Sequence, residues 1–177
     1  MGTKNPEVLE MVGEERLNLE EFELPAPEEL VERPPIKAKI VKIEPRKEKS
    51  RFRDGEDINI HIYAITDRGW IQHIIYRYST HKNSKFGQFI LKVYELTKND
   101  PEIQKPIKLS NLIGTTWTWE YKERQLGNVI SAFWLPVEYH GKEPVTAEEI
   151  QAVEEWINER QQAEQTPEEI GKEVEKL

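Results

Sequence analysis

The chain has 177 residues and a net charge of -8, with 37% hydrophobic and 33% charged residues. This length suits one domain of ordinary size with extensions, and part of it is too polar to be core. The absence of cysteine excludes a disulfide framework and a thiolate metal site. No apolar run approaches the roughly 20 residues that cross a bilayer, which argues against membrane contact and favours a cytoplasmic protein.

Charge is divided unevenly along the chain. Residues 1–35 carry three Lys or Arg against ten Glu, and residues 143–177 carry three against eleven. Residues 36–142 carry nineteen against twelve acids, a net charge of +7. We therefore predict an acidic N-terminal extension (1–35), a basic domain (36–142) and an acidic C-terminal region (143–177). The basic domain, rather than the whole-chain charge, is the guide to a charged partner.

The N-terminal extension is rich in proline. Prolines stand at positions 25, 27, 34 and 35 in "LPAPEELVERPP". Because proline ends or kinks a helix, we predict an extended segment with at most a turn or two of helix.

Alternating apolar and polar residues predict three strands at the start of the basic domain. "IKAKIVKIEP" begins at Ile36 and shifts phase near Val41, as a strand with a bulge does. "RKEKSRFRDGED" at 46–57 is predicted to be a basic loop before the second strand, "DINIHIYAI". "TDRG" at 66–69 predicts a tight turn, with "WIQHIIYRYS" as the hairpin partner. The face of the second strand predicted to be buried comprises Ile58, Ile60, Ile62 and Ala64.

After the third strand, the apolar residues no longer alternate with polar ones but recur at helical spacing, which predicts a helix. In "KNSKFGQFILKVYELTKND" apolar residues recur at helical spacing until Asp100 and Pro101. The strand pattern resumes at "TTWTWEYKER", followed by a turn at "QLGN" and a last strand, "VISAFWLPVEY". The apolar face of the helix comprises Phe86, Phe89, Ile90, Val93 and Leu96.

Two amphipathic helices with acidic outer faces are predicted in the C-terminal region. Thr146 and Glu149 form a capping-box pattern before the first. We favour packing of this helix on the basic domain or on a second copy of the chain. Thr166 and Glu169 mark the start of the second helix, for which the sequence leaves packing and partner docking open. The apolar stripe of the first helix comprises Ile150, Val153, Trp156 and Ile157.

Five short strands with one helix between the third and fourth is the order of the OB-fold, a five-stranded Greek-key barrel. The sequence resembles the small OB-fold single-stranded nucleic-acid-binding proteins of phages and archaea. The similar stretches are "SKFGQFI" at 84–90, which opens the helix, and "LIGTTW" at 112–117, which leads into the fourth strand. The resemblance covers the basic domain only. It implies a mainly β barrel that binds single strands.

The basic loop is the first candidate for nucleic-acid contact, because the loop between the first two strands flanks the binding face of an OB-fold. Cations there would neutralise phosphates, and an aromatic ring would stack on a base. The alternative is a solvated loop whose own carboxylates pair with its cations. The candidates are Arg46, Lys47, Lys49, Arg51, Phe52 and Arg53.

Exposed rings are the second requirement of a single-strand site. If the isoleucines of the second strand fill the interior, His61 and Tyr63 face outward. The same alternation leaves Trp134 on the outer face of the last strand. The aromatic residues of the fourth strand fit a buried row as well as an exposed one, and Trp119 is the candidate from that strand.

Cations near the helix start and the last turn complete the predicted site. Arg77, Lys82 and Lys85 approach the start of the helix, where free backbone N–H groups bind phosphate. Lys122 and Arg124 would face the same groove from the turn between the last two strands. An ordinary solvated helix start is the alternative.

The sequence contains no pattern of a catalytic or metal site. The four histidines lack the paired spacing of a metal site, and no cysteine could complete a zinc set. A glycine-rich phosphate loop and a nucleophile elbow are both absent. We therefore expect no metal, no cofactor and no enzymatic activity.

The function predicted from these observations is binding of single-stranded DNA or RNA with low sequence specificity, in replication, recombination or repair. The alternative is a protein-interaction or assembly module, such as a virion or complex subunit, that docks a partner protein through the acidic C-terminal helices. A homo-oligomer is compatible with either function. The cytoplasm is the expected location, and it would be the host cytoplasm for a viral protein.

Overall fold

The computed structural model describes residues 18–29 and 33–163. The chain divides into two units, Met1–Glu32 and Arg33–Leu177. In the first unit, short 3-10 turns at Leu19–Glu21 and Pro27–Glu29 agree with the predicted lack of a longer helix in this stretch. The predicted second C-terminal helix, from Thr166, lies outside the described residues.

The second unit is built on one antiparallel sheet of five strands, in the order β3-β2-β1-β4-β5. The mainly β prediction is therefore confirmed. β3 and β5 are the edge strands, and no backbone ladder joins them in the described part of the chain. The strands are β1 (Ile36–Lys49), β2 (Glu56–Thr66), β3 (Ile71–Arg77), β4 (Thr115–Leu126) and β5 (Val129–Lys142).

Two α-helices accompany the sheet: α1 (Lys85–Leu96) lies between β3 and β4 in the chain, and α2 (Ala147–Ala163) follows β5. The predicted capping box of α2 is confirmed. The Thr146 backbone N–H donates to the Glu149 carboxylate at 2.9 Å, and the Glu149 N–H donates to the Thr146 hydroxyl at 3.1 Å. Neither described helix combines the length and apolar character that a membrane span requires.

The main core lies between the inner face of the sheet and α1. It contains Ile60, Ile62 and Ala64 of β2 together with the apolar face of α1, whereas Ile58, also predicted to be buried, is 43% exposed near the start of β2. Trp117 and Trp119 of β4 are fully buried there, and the Trp119 ring stacks on Phe89 with ring centroids 6.2 Å apart. Trp119 therefore has no free ring face for a base, which corrects its assignment as a binding residue.

A second, smaller cluster lies on the outer face of the sheet. Val153 and Ile157 of α2 are buried there against Val41 and Tyr63. Packing of α2 on the basic domain is thus confirmed. The expectation that His61 and Tyr63 face solvent is wrong, because α2 covers their face and leaves them 4% and 2% exposed. The alternation along β2 was correctly assigned, but only the fold determines what covers the outer face.

The first hairpin is longer than predicted. β1 continues to Lys49 and β2 begins at Glu56, so the loop is limited to residues 50–55. Arg46 and Lys47 belong to the ladder rather than to a loop, and Lys49 pairs with Glu56 across it. The backbone ladder therefore continues through polar residues at this end of the hairpin. The predicted bulge is confirmed by a register shift between Ile40 and Lys42.

Candidate nucleic-acid interface

Three of the predicted cations are bound to carboxylates of this chain. Arg46 donates to Glu44 at 2.8 Å and also to the Tyr63 hydroxyl at 2.8 Å. Local pairing neutralises these cations, and the pair of Arg53 with Asp57 is the kind that the solvated-loop alternative predicts. The other two pairs are Arg53 with Asp57 at 2.7 Å and Lys122 with Glu120 at 2.8 Å.

Arg77, Lys85 and Arg124 differ, because the described residues supply no carboxylate ion pair for any of them. The Lys85 ammonium makes only a long hydrogen bond, 3.4 Å, to the Ala132 carbonyl. Arg124 Nη1 donates to the Asn83 carbonyl at 2.6 Å, while its Nε is buried and finds no acceptor in the described part of the chain. Such an unsatisfied buried donor costs about 1–3 kcal/mol.

The three cations also lie close enough to repel one another. Burial lowers the pKa of Lys85, and the neighbouring Arg124 and Arg77 lower it further. A cluster of like charges without a counter-ion among the described residues is unfavourable in the free protein, and groups with shifted pKa values concentrate at functional sites. An anion from outside the chain would relieve the repulsion.

Two aromatic rings accompany these cations. The Arg77 guanidinium lies 5.6 Å from the centre of the Phe52 ring, which is 79% exposed. Lys85 Nζ and Arg124 Cζ each lie 5.7 Å from the centre of the Phe133 ring. We call these five residues, Phe52, Arg77, Lys85, Arg124 and Phe133, the ring-and-cation row.

The fold brings the row together from four separate segments: the first hairpin loop, the end of β3, the start of α1 and the β4–β5 hairpin. The start of α1 is fixed by Ser84, whose hydroxyl accepts from the Gly87 N–H at 2.9 Å. A Cβ at Gly87 would lie 2.1 Å from the His81 carbonyl oxygen. Only glycine therefore lets the preceding loop approach the helix this closely, which sets the positions of Lys85 and Asn83.

Phe133 is a row residue that the sequence reasoning missed, because alternation along β5 placed it on the buried face. It is half-buried at the edge of the main core. A signal was available, since the two-residue turn Gly127–Asn128 sets the register that pairs Lys122 with Phe133. Counting back from that turn would have placed a ring beside the cations of β4.

The remaining predicted residues flank the row or lie apart from it. Lys47, Lys49, Arg51 and Lys82 are exposed and form no ion pair with a described residue. Trp134 is half-buried and packs edge-on against Tyr121, with ring centroids 5.1 Å apart. It therefore presents less ring surface than the sequence suggested.

Beneath α2 lies a buried polar network. His61 bonds to Glu48 through Nε2 at 3.0 Å and to His73 Nε2 through Nδ1 at 2.9 Å. These bonds occupy the ring nitrogens that a metal would need, and no group of three or more potential ligands among the described residues could hold a metal ion. The pKa of His73 is lowered from 6.5 to about 4, chiefly by burial and in addition by the neighbouring charges of His61 and Arg46.

This pKa predicts a pH dependence of stability. Below pH 6.5 the unfolded chain protonates His73, whereas the folded chain keeps it neutral until about pH 4. The folded state therefore loses stability as the pH falls through this window, by about 2 kcal/mol for a partly exposed group. Urea unfolding at about pH 4.5 and about pH 7 measures the loss, which should shrink in His73→Gln and persist in His140→Gln. An unchanged loss in His73→Gln would contradict the prediction.

We find no protein-family model, curated protein or solved structure that matches this chain. The interpretation of the ring-and-cation row therefore rests on its own chemistry. Cations that no carboxylate neutralises bind anionic oxygen, and accessible ring faces bind flat aromatic groups. A ligand that alternates phosphates with planar rings would satisfy both.

Proposed function

We propose that this protein binds single-stranded nucleic acid along the ring-and-cation row, with low sequence specificity. The supporting observation is that three cations, for which the described residues supply no carboxylate partner, lie beside one exposed and one half-buried ring. Phosphates would pair with the cations and unpaired bases would stack on the rings. A duplex keeps its bases stacked on each other, so stacking on the row favours single strands.

Low specificity follows from the kind of contact. Sequence is read by hydrogen bonds to base edges, whereas phosphate contacts and stacking are shared by all bases. Such binding is stoichiometric, and it would protect or organise single-stranded DNA or RNA in replication, recombination or repair.

We also propose that the sheet curls into an OB-fold barrel. Two features support this: the strand order β3-β2-β1-β4-β5, and a hydrogen bond from the Tyr76 hydroxyl to the Trp134 carbonyl, which links the two edge strands. In such a barrel the first loop and the β4–β5 turn flank the binding face. Phe52 and the cations of β4 belong to those two regions.

The assembly-module alternative receives less support. It needs a free apolar face on a C-terminal helix, and in α2, which is the C-terminal helix within the described residues, Val153 and Ile157 are buried on this chain's own sheet. Of the apolar stripe of α2, Ile150 remains exposed, and one side chain is a small docking surface.

The test is a titration of fluorescently labelled oligothymidine with the full chain, followed by anisotropy at ~50 and ~200 mM salt. With three phosphate contacts, we expect the affinity to fall about twentyfold over this interval. Each contact on a single strand contributes about 0.7 to the salt slope, the slope of log affinity against log salt concentration. An unlabelled duplex should compete poorly. No binding at the lower salt concentration, or equal competition by duplex, would overturn the proposal.

A further inference from the structure

The surface that α2 covers contains the same kinds of group as the ring-and-cation row. The rings of Tyr63 and His73 stack with centroids 4.4 Å apart and planes inclined by 11°. Trp156 of α2 lies edge-on against both rings, at 6.1 Å from Tyr63 and 5.6 Å from His73. An aromatic side chain of the helix therefore occupies the position beside this ring pair.

Two cations of β1 on this face are neutralised by α2. Lys39 Nζ lies 3.0 Å from Glu149 Oε1, and Lys42 Nζ lies 2.9 Å from Glu154 Oε2. Together with Trp156, the helix thus presents one ring and two carboxylates to a face of two rings and two cations. A nucleic-acid strand would present a base and two phosphates to the same groups.

Apart from Lys39 and Lys42, the polar groups under α2 make their hydrogen bonds within the sheet. Glu48 accepts from Asn59 at 2.6 Å and is bonded to His61, which in turn is bonded to His73. Arg46 donates to the Tyr63 hydroxyl. Because these polar groups are satisfied within the sheet, exposing them to water would leave none of their bonds broken.

The apolar attachment of α2 is small. Its buried side chains are Val153 and Ile157, with Trp156 partly buried beside them, in a cluster separate from the main core. Elements with few buried apolar contacts open at low free energy without global unfolding. The covered face is also continuous with the row, because Arg77 and His73 lie on the same side of β3.

We propose that α2 is a reversible cover over a second strand-binding face, and that it competes with nucleic acid for this face. The face comprises Lys39, Lys42, Tyr63 and His73, and the ligand is the phosphate backbone and one base of the strand already held by the row. This inference rests on the proposed function. Binding to the row is independent of the cover, whereas the affinity of a longer strand depends on releasing it.

The first test weakens the two ion pairs without changing the side-chain shapes. In Glu149→Gln with Glu154→Gln, the glutamine at 149 retains an acceptor for the capping box. We expect at least fivefold tighter binding of ~16-nucleotide oligothymidine, the upper end of the site size of one OB-fold. The control is Glu155→Gln with Glu159→Gln, which changes the net charge equally on exposed positions of α2 and should alter affinity less than twofold. An equal gain in affinity in both double variants would show an effect of overall charge and would contradict the proposal that α2 covers a binding face.

The second test fixes the helix in place. The chain has no cysteine, so Val41→Cys with Val153→Cys introduces the only thiols, at two positions in one buried cluster. The oxidised protein should bind the same oligothymidine several-fold more weakly than its own reduced form. The oxidised and reduced forms could bind equally strongly, and Glu149→Gln with Glu154→Gln could leave the affinity unchanged. That result would contradict the proposal that α2 covers a binding face, but the proposed function would remain supported. If no form of the protein binds oligothymidine, both the proposed function and the proposed role of α2 are contradicted.

Discussion

Replacing Arg77 and Lys85 together by alanine will lower the affinity for oligothymidine about thirtyfold at ~50 mM salt, because two phosphate contacts of roughly 1 kcal/mol each are lost. The salt slope should also fall, by about 1.4, since each contact on a single strand contributes about 0.7. The two effects must occur together if the lost groups contact phosphate. Anisotropy titrations at several salt concentrations measure both.

A matched control is available for this experiment. Lys37 and Lys98 are exposed and form no ion pair with a described residue, and Lys37 lies at the opposite end of β1 from the row. Lys37→Ala with Lys98→Ala changes the net charge by the same amount and should reduce the affinity only slightly. Equal losses in the two double variants would show that the interaction depends on overall charge, and the row would then not be the site.

Trp119→Ala will cost about 3–5 kcal/mol of folding stability, the usual cost of deleting a large aromatic side chain from a packed core. Trp119 is 0% exposed and stacks on Phe89, so its removal leaves a cavity between the sheet and α1. Urea denaturation followed by circular dichroism measures the loss. Nucleic-acid affinity per folded molecule should stay unchanged, because the ring is not at the surface.

Trp70→Ala is the control for this prediction. Trp70 is 65% exposed at the turn between β2 and β3, and its removal should change stability by no more than about 0.5 kcal/mol. If Trp119→Ala does not fold, Trp119→Phe keeps a ring against Phe89 and allows the binding measurement. A loss of affinity in folded Trp119→Phe without a change in structure would contradict the core assignment.

The local structure could be predicted from particular residues. The alternation of Ile60, Ile62 and Ala64 assigned the inner face of β2, and the spacing of Thr146 and Glu149 located the start of α2. Both signals depend on residues close together in the chain. Periodicity and capping are local properties, so the sequence alone determines them.

The candidate site was only partly predictable. Arg46 and Arg77 were both predicted to contact nucleic acid, and nothing in the sequence indicates which of them has a partner within the chain. Arg46 donates hydrogen bonds to Glu44 and Tyr63, whereas Arg77 lies over Phe52 with no carboxylate ion pair in the described part of the chain. The availability of a cation depends on which neighbours the fold supplies, and those neighbours lie on other strands.

By itself, the sequence determined the order of the five strands, the position of α1, the start of α2, the bulge and the concentration of positive charge in residues 36–142, because each follows from the order of residue types along the chain. Tertiary structure alone decided that α2 covers His61 and Tyr63, that Trp119 is core, and that Phe52, Lys85 and Phe133 share one surface. The physical reason is that a strand pattern distinguishes two faces but does not say what packs on each. Burial and ion pairing are set by contacts between residues far apart in the chain, such as those of Lys39 with Glu149.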